Sequence, residues 1–349
     1  MLYTAESVTS GHPDKICDQI SDAILDEYLR QDPASRVAVE TFGSHGLLVI
    51  GGEVTSNGQV DAGKIAAKVY KDIGHEDNLE IQANIVQQSP DIAQGVNTGG
   101  AGDQGIMYGY ATDETVEYLP LPMVLAHKLT RGLEDLRRNH PEFHWLRPDG
   151  KAQVTIEDGK IKNVLISTQH DEKISQQEIL GLLAKHLIRK VTGRGDYEIL
   201  VNPTGKFVVG GFYADTGLTG RKLMVDTYGG IIPHGGGAFS GKDPTKVDRS
   251  AAYMSRFVAK NLVANGYAKK CLVSVAYAIG RAEPLMVEVE TFGTGNNQTA
   301  RNVVLKKFDF SPLAIIEKLN LRQPIYLQTA AYGHFGKPNL PWEEIIKML

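Results

Sequence analysis

Apolar residues recur at helical spacing in several stretches of the chain, separated by short extended runs. The first helical stretch opens at Pro13 and sets Ile16, Ile20, Ala23, Ile24 and Leu25 on one face, the spacing of an amphipathic helix. Proline suits a first helical position, where its missing N–H leaves nothing unpaired, and Asp32-Pro33 ends the run. Arg36–Phe42 and Leu47–Val54 then read as strands joined by Gly43-Ser44-His45-Gly46, a hairpin pattern. A second helix is expected over Gln59–Asp72 and a strand over Gln82–Gln88. Ser89–Gly105 carries Pro90 and a cluster of glycines with few apolar anchors; long loops of that kind are usually functional or mobile.

The middle of the chain predicts a helix over Leu121–Asn139, a hairpin over Lys151–Thr168 turning at Glu157-Asp158-Gly159-Lys160, and a helix over Ser175–Val191. The last part predicts a glycine-rich loop over Gly229–Gly241, a helix over about Thr245–Asn265, and strands over Cys271–Ala278 and Pro284–Phe292. Val37-Ala38-Val39-Glu40-Thr41-Phe42-Gly43 echoes Val287-Glu288-Val289-Glu290-Thr291-Phe292-Gly293, and the Gly11–Lys15 segment echoes Gly241–Lys246 ahead of the next helix. A duplicated loop–helix–strand–strand unit is the expectation. Linkers are short, so the fold expected is α+β with interlocked subdomains.

Composition narrows the function. The 349 residues carry 37 basic and 41 acidic side chains, which argues against a nucleic-acid coat. Cys17 and Cys271 are the only cysteines, too few for a disulfide scaffold or a cysteine zinc site. No apolar run is long enough to span a membrane, and Met1–Thr9 lacks a signal-peptide layout, so the expected setting is cytoplasmic. There is no G-x-S-x-G, H-E-x-x-H or C-x-x-C, and no G-x-G-x-x-G opens a βαβ unit with an acid about twenty residues on. What remains is lysine, arginine, histidine, carboxylate and clustered glycine, an inventory for handling phosphate.

Three segments concentrate it. Gly236–Lys242 fits G-x-x-x-x-G-K, but Asp243 stands where magnesium-binding Ser or Thr should follow. Even so, glycines let backbone N–H groups approach phosphate, and a helix start favours negative charge. Gly11-His12-Pro13-Asp14-Lys15 crowds charge at another helix start; an aspartate there could share magnesium with substrate phosphates or simply complement the dipole. Leu218-Thr219-Gly220-Arg221-Lys222 offers adjacent cations. Asp149-Gly150-Lys151 reads on its own as an ordinary turn, and His45, His75 and His334 as surface or packing residues. A kinase or NTPase is the competing enzyme reading, with ADP as product; a nucleotide sensor that keeps the fold is the non-catalytic one.

Taken together, Gly11–Lys15, Gly100–Gly105 and Gly235–Arg249, flanked by Trp145–Asp149, Val225–Gly230 and Thr329–Gly336, resemble the S-adenosylmethionine synthetase (methionine adenosyltransferase) family over nearly the whole chain. The resemblance implies three similar subdomains related by pseudo-threefold symmetry, each a sheet with helices on one face: residues 1–90, then a mobile active-site loop at 91–105, then 106–212 and 213–349. It implies ATP and L-methionine as substrates, two Mg²⁺ per site, one K⁺ per subunit, and a homodimer or homotetramer with sites at the subunit interface. It assigns His12 to the leaving oxygen, Asp14 and Asp248 to magnesium, and Glu40 to potassium. Lys151, Arg221, Lys222 and Lys242 would bind polyphosphate. Asp149, Lys206, Phe207 and Ala238 would complete the ATP pocket. Lys246 and Asp215 would lie where methionine meets the nucleotide, and Glu53, Gln88 and Asp103 would recognise methionine. Two departures stand out. The loop between Gln88 and Asp103 is shorter than in the bacterial form, and Lys206 replaces a frequent arginine, which keeps the charge but loses the planar fork.

Overall fold

In the computed structural model, which describes residues 2–87 and 99–348, the chain runs three times through strand, helix, hairpin and helix. The first pass is β1 (Leu2–Val8), α1 (Pro13–Gln31), the hairpin β2 (Arg36–Ser44) and β3 (Leu47–Thr55), α2 (Ala62–Ile73) and β4 (Glu80–Gln87). The second is β5 (Gly105–Thr112), α3 (Leu121–Asn139), β6 (Leu146–Glu157), β7 (Lys160–His170), α4 (Gln176–Leu183, prolonged by a π-helical turn) and β8 (Glu198–Val201). The third is β9 (Gly217–Leu218), α5 (Val247–Ala264), β10 (Lys270–Tyr277), β11 (Met286–Glu290) and α6 (Asn297–Lys307). Two hairpins close on His45-Gly46 and Asp158-Gly159, all four residues at positive φ, the turn whose twist matches that of the flanking strands.

Each pass gives its first strand away. β1 pairs antiparallel with β6, Val8 opposite Lys151. β5 pairs with β10, and β9 with β2. The three sheets are therefore β1-β6-β7-β8, β5-β10-β11 and β9-β2-β3-β4, closing a cycle of exchange that interlocks the repeats. In the two four-stranded sheets a crossover helix returns the chain to a parallel partner, β4 on β3 and β8 on β7. The helices α1, α3 and α5 pack on β2, β6 and β5 respectively. Ile16, Ile20, Val39, Phe257 and Val273 belong to one core shared by the first and third repeats, whereas Leu129, Leu133, Val154 and Ile166 form the core of the second. The fold is α+β in three units.

Several expectations need correction. The strands β1, β5, β8 and β9 are unheralded by local pattern. Asp149-Gly150-Lys151 is not a turn but part of β6, beside an irregularity in its pairing with β7. The two echoes are also unequal. Gly11–Lys15 and Gly241–Lys246 do precede equivalent helices. Val37–Gly43, however, lies on the first hairpin strand of its repeat, while Val287–Val289 lie on the second of theirs. Alternating valines facing a core recur in any half-buried strand, so this match is strand chemistry and not repeat register. Gln88 and residues 91–98 of the expected loop lie outside the described residues.

Candidate active site

The site is organised by a feature of α1 that the motif reading passed over. Asp14, Asp18, Asp22 and Asp26 recur every fourth residue and all four are buried. Each accepts a backbone N–H from a different place. Asp14 Oδ1 takes Leu218 at 3.0 Å, Asp18 Oδ1 takes Gly220 at 2.8 Å, and Asp22 Oδ1 takes Gly241 at 2.8 Å. Asp26 takes Tyr326 and Leu327, both at 2.9 Å. One helix face thus pins the 218–222 and 241–242 loops. Asp22 also receives the buried Arg249 guanidinium at 2.7 and 2.8 Å. Removing one partner of a buried ion pair leaves an uncompensated charge and costs about 3–5 kcal/mol. Asp22→Ala is therefore expected to lower the thermal midpoint by many degrees, to be read by calorimetry; an unchanged midpoint contradicts the anchoring role.

Around the start of α1 lies a first group. His12 caps the helix with Nδ1 accepting the Asp14 N–H at 3.2 Å. That bond leaves the proton on Nε2. Burial first, then Lys222, Lys151, Lys15 and Arg221, push the His12 pKa down to about 2, so the ring is a neutral donor among cations. Asp14 Oδ2 accepts Lys222 Nζ at 2.5 Å, with Arg221 Nε 3.8 Å from Oδ1. Lys151 is exposed at the end of the β1 pairing. Asp149 accepts the Gly211 N–H at 2.9 Å, and burial raises its pKa to about 6, with Lys151 opposing and Asp215 adding to the rise. Asp215 itself is exposed. Phe207 N–H donates to His170 Nε2 at 3.1 Å, four residues before Gly211. Lys15 is withdrawn from this group: it is fully buried between Asp18 and Asp226.

A second group forms along β2 and the start of α5. Lys242 bridges Ala38 on β2, and Ala38 faces Glu53 on β3, so Lys242, Ala38 and Glu53 form one row across the sheet. Glu40 lies exposed two residues along the same face. Lys242 Nζ meets Asp248 Oδ2 at 2.7 Å. Lys246 pairs with Asp243, whose Oδ2 also accepts the Val37 N–H at 2.7 Å. Asp243 therefore ties the loop to β2, which explains why an acid stands where a P-loop would carry a hydroxyl. The glycines here have a use. Gly241 has φ +80°, and a Cβ would lie 1.8 Å from the Val39 carbonyl oxygen; at Gly237 it would lie 2.1 Å from Asp248 Oδ1. Asp103 is exposed just before β5, where a Cβ on Gly105 would stand 4.0 Å from Asp248 Oδ1.

Ala238 connects the groups: a Cβ on Gly220 would touch its Cβ at 2.5 Å. Among the described residues no hydrogen bond or ion pair joins side chains of one group to the other. Lys206 is turned to Glu172 at 3.0 Å in an exposed pair. His45 is exposed and His334 is buried against the Tyr253 hydroxyl at 2.7 Å. His75 does more than pack: Nε2 lies 3.1 Å from the Gly11 carbonyl, bracing the loop before His12.

No cluster of three or more His, Cys, Asp or Glu side chains able to hold a metal occurs among the described residues. Asp14 and Asp248 are instead single carboxylates, each beside its own lysine. That donor set fits magnesium delivered with phosphate, which keeps most of its waters and takes one or two carboxylates. No helix among the described residues is long and apolar enough to cross a membrane.

Three family models match in sequence: the S-adenosylmethionine synthetase N-terminal domain over residues 1–94, the central domain over 98–207, and the C-terminal domain over 209–344. The S-adenosylmethionine synthase of Thermus thermophilus is 49% identical, covering 98% of this chain and 95% of its own. That of Pseudothermotoga lettingae is 51% identical, covering 99% and 96%, and that of Clostridium tetani 50%, covering 99% and 97%. These alignments run over 378 to 382 positions, more than the 349 residues of this chain, so the relatives carry insertions that it lacks. A chain matched end to end by all three domain models, with half its residues identical to such relatives, belongs to the S-adenosylmethionine synthetase family.

Proposed function

We propose that the methionine thioether sulfur attacks C5′ of ATP: the S–C5′ bond forms as the C5′–O bond breaks, and the electron pair leaves with tripolyphosphate. Water then cuts the tripolyphosphate to phosphate and diphosphate. A thioether has no proton to lose, so this attack needs no general base. The barrier lies in alignment and in stabilising a departing polyanion, both positioning and electrostatic tasks.

One observation carries the reading: a neutral His12 whose Nε2–H is available amid Lys151, Arg221 and Lys222. A protonated imidazole would repel those cations, whereas a neutral donor can bond the leaving oxygen beside them. Lys151, Arg221, Lys222 and Lys242 hold the polyphosphate. Asp149, Phe207 and Ala238 border the adenosine, with Lys206 near its edge. Asp215 and Lys246 meet methionine at the nucleotide, Glu53 takes its ammonium, and Gln88 and Asp103 complete its pocket. Asp14 and Asp248 would hold magnesium, which supplies screening of the polyphosphate charge, and Glu40 would hold potassium. The two groups, unconnected by side-chain bonds within one chain, suit a homodimer or homotetramer in which the first group of one subunit meets the second group of its partner. The domain limits 1–90, 91–105, 106–212 and 213–349 follow the same family pattern.

Tripolyphosphate supplied alone tests the second step. Equal release of phosphate and diphosphate is expected; recovery of intact tripolyphosphate contradicts it. A second test uses pH. Asp149, raised to about 6, is ionised above that value and loses its hold on Lys151 below it. An acid limb in kcat/KM near pH 6 is expected, reporting free enzyme. Asp149→Asn should have lower activity and no such limb.

A further inference from the structure

We propose that the cleft between α3 and the 332–337 segment binds a small phosphate-class oxyanion, apart from the catalytic groups. The cleft has a volume of about 70 Å³, and its lining includes His127, Lys128, Arg131, Tyr332 and Lys337. Four of these five are basic or titratable nitrogen side chains, and the acid on the wall, Glu117, is occupied by Lys128 at 2.9 Å.

That leaves two basic side chains outside any ion pair. Lys337 Nζ donates to the Gln328 and Ala331 carbonyl oxygens, each at 2.6 Å, which uses two of its three protons. Arg131 lies with Cζ 5.4 Å from the Tyr332 ring centroid, and a cation stacked on a ring keeps its N–H edge free. Among the described residues no carboxylate stands within ion-pair distance of either. Burial, then Arg131 and Lys15, depress the Lys337 pKa well below its ordinary value, against the opposing pull of Asp226 and Asp22. Arg131 is exposed and Lys337 half-buried, and an anion between them would favour the charged form of both and offset their mutual repulsion. Several N–H donors around a small open cleft suit a tetrahedral oxyanion, because charge-assisted bonds to phosphate oxygens are the strong ones. The cleft is also close to the catalytic loop. The Tyr332 hydroxyl accepts the Ser10 N–H at 3.2 Å, two residues before His12.

Equilibrium dialysis of the full-length protein against radiolabelled inorganic phosphate, without ATP or methionine, tests this site independently of the catalytic reading. Wild-type protein should bind phosphate at this site, with sulfate competing and chloride at equal ionic strength failing to compete. Arg131→Gln and Lys337→Met should each weaken that class of binding about tenfold or more, the size of one charge-assisted hydrogen bond. Lys242→Ala should leave it intact. Should Lys337→Met fail to fold, the exposed Arg131 variant decides alone. Unchanged phosphate stoichiometry and affinity in Arg131→Gln, or equal displacement by chloride, overturns the proposal.

Discussion

Lys242→Ala is expected to lower turnover by about 10²–10³-fold, the usual cost of removing one preorganised charge from a developing anion, while barely changing stability. The side chain is partly exposed and its one ion pair is with Asp248, 2.7 Å away. Exposed or half-exposed pairs contribute about 0–1 kcal/mol, so the thermal midpoint should move little. Steady-state sulfonium formation and a melting curve on the same preparation separate the two effects. Lys242→Arg should recover only part of the rate, because a planar fork cannot replace a compact ammonium on the row through Ala38. Full activity in the alanine variant would remove Lys242 from the polyphosphate site.

His12→Asn should lower kcat by about 10²-fold or more on the same argument. Asparagine is a good helix cap, so it keeps the bond to the Asp14 N–H and isolates the loss of the Nε2 donor. The sign of the pH effect is fixed. A histidine brought down to about 2 stays neutral throughout an assay between pH 6 and 9. Its linkage to folding lies elsewhere: the unfolded ring takes up a proton near 6.5, so its share of stability is present above that pH and is lost as pH falls. Any acid limb in the rate should follow Asp149, vanish in Asp149→Asn and persist in His12→Asn. A limb that disappears only with His12 would mean that the imidazole titrates in catalysis.

Local chemistry made some of this fold legible. Pro13 and the period of Ile16, Ile20 and Ile24 mark α1, and Asp158-Gly159 marks the β6–β7 turn, because caps and turns are written in adjacent residues. The exchanged strands are another matter. Leu2–Val8 forms a strand because residues 151–157 lie beside it, and the two-residue β9 exists only against Phe42 and Gly43. Such pairing is long-range and leaves no periodic trace in seven residues or two. Crowding of His12, Asp14, Lys242 and Asp248 with glycine and charge singled out their segments, since phosphate chemistry needs that mixture. The Asp14, Asp18, Asp22 and Asp26 series was equally visible as an i, i+4 pattern, but an acidic helix stripe ordinarily faces water. Its burial depends on backbone N–H groups arriving from residues 218–241 and 326–327, which no local reading supplies.

The claim beneath all of this is that the site alkylates an uncharged sulfur by stabilising the polyphosphate that departs. The most direct test is one incubation of purified protein with ATP, L-methionine, Mg²⁺ and K⁺, with nucleosides and phosphates resolved by chromatography. S-Adenosylmethionine, phosphate and diphosphate in equal amounts, without ADP, is the predicted result; ADP formation, or the absence of a sulfonium nucleoside, would contradict it.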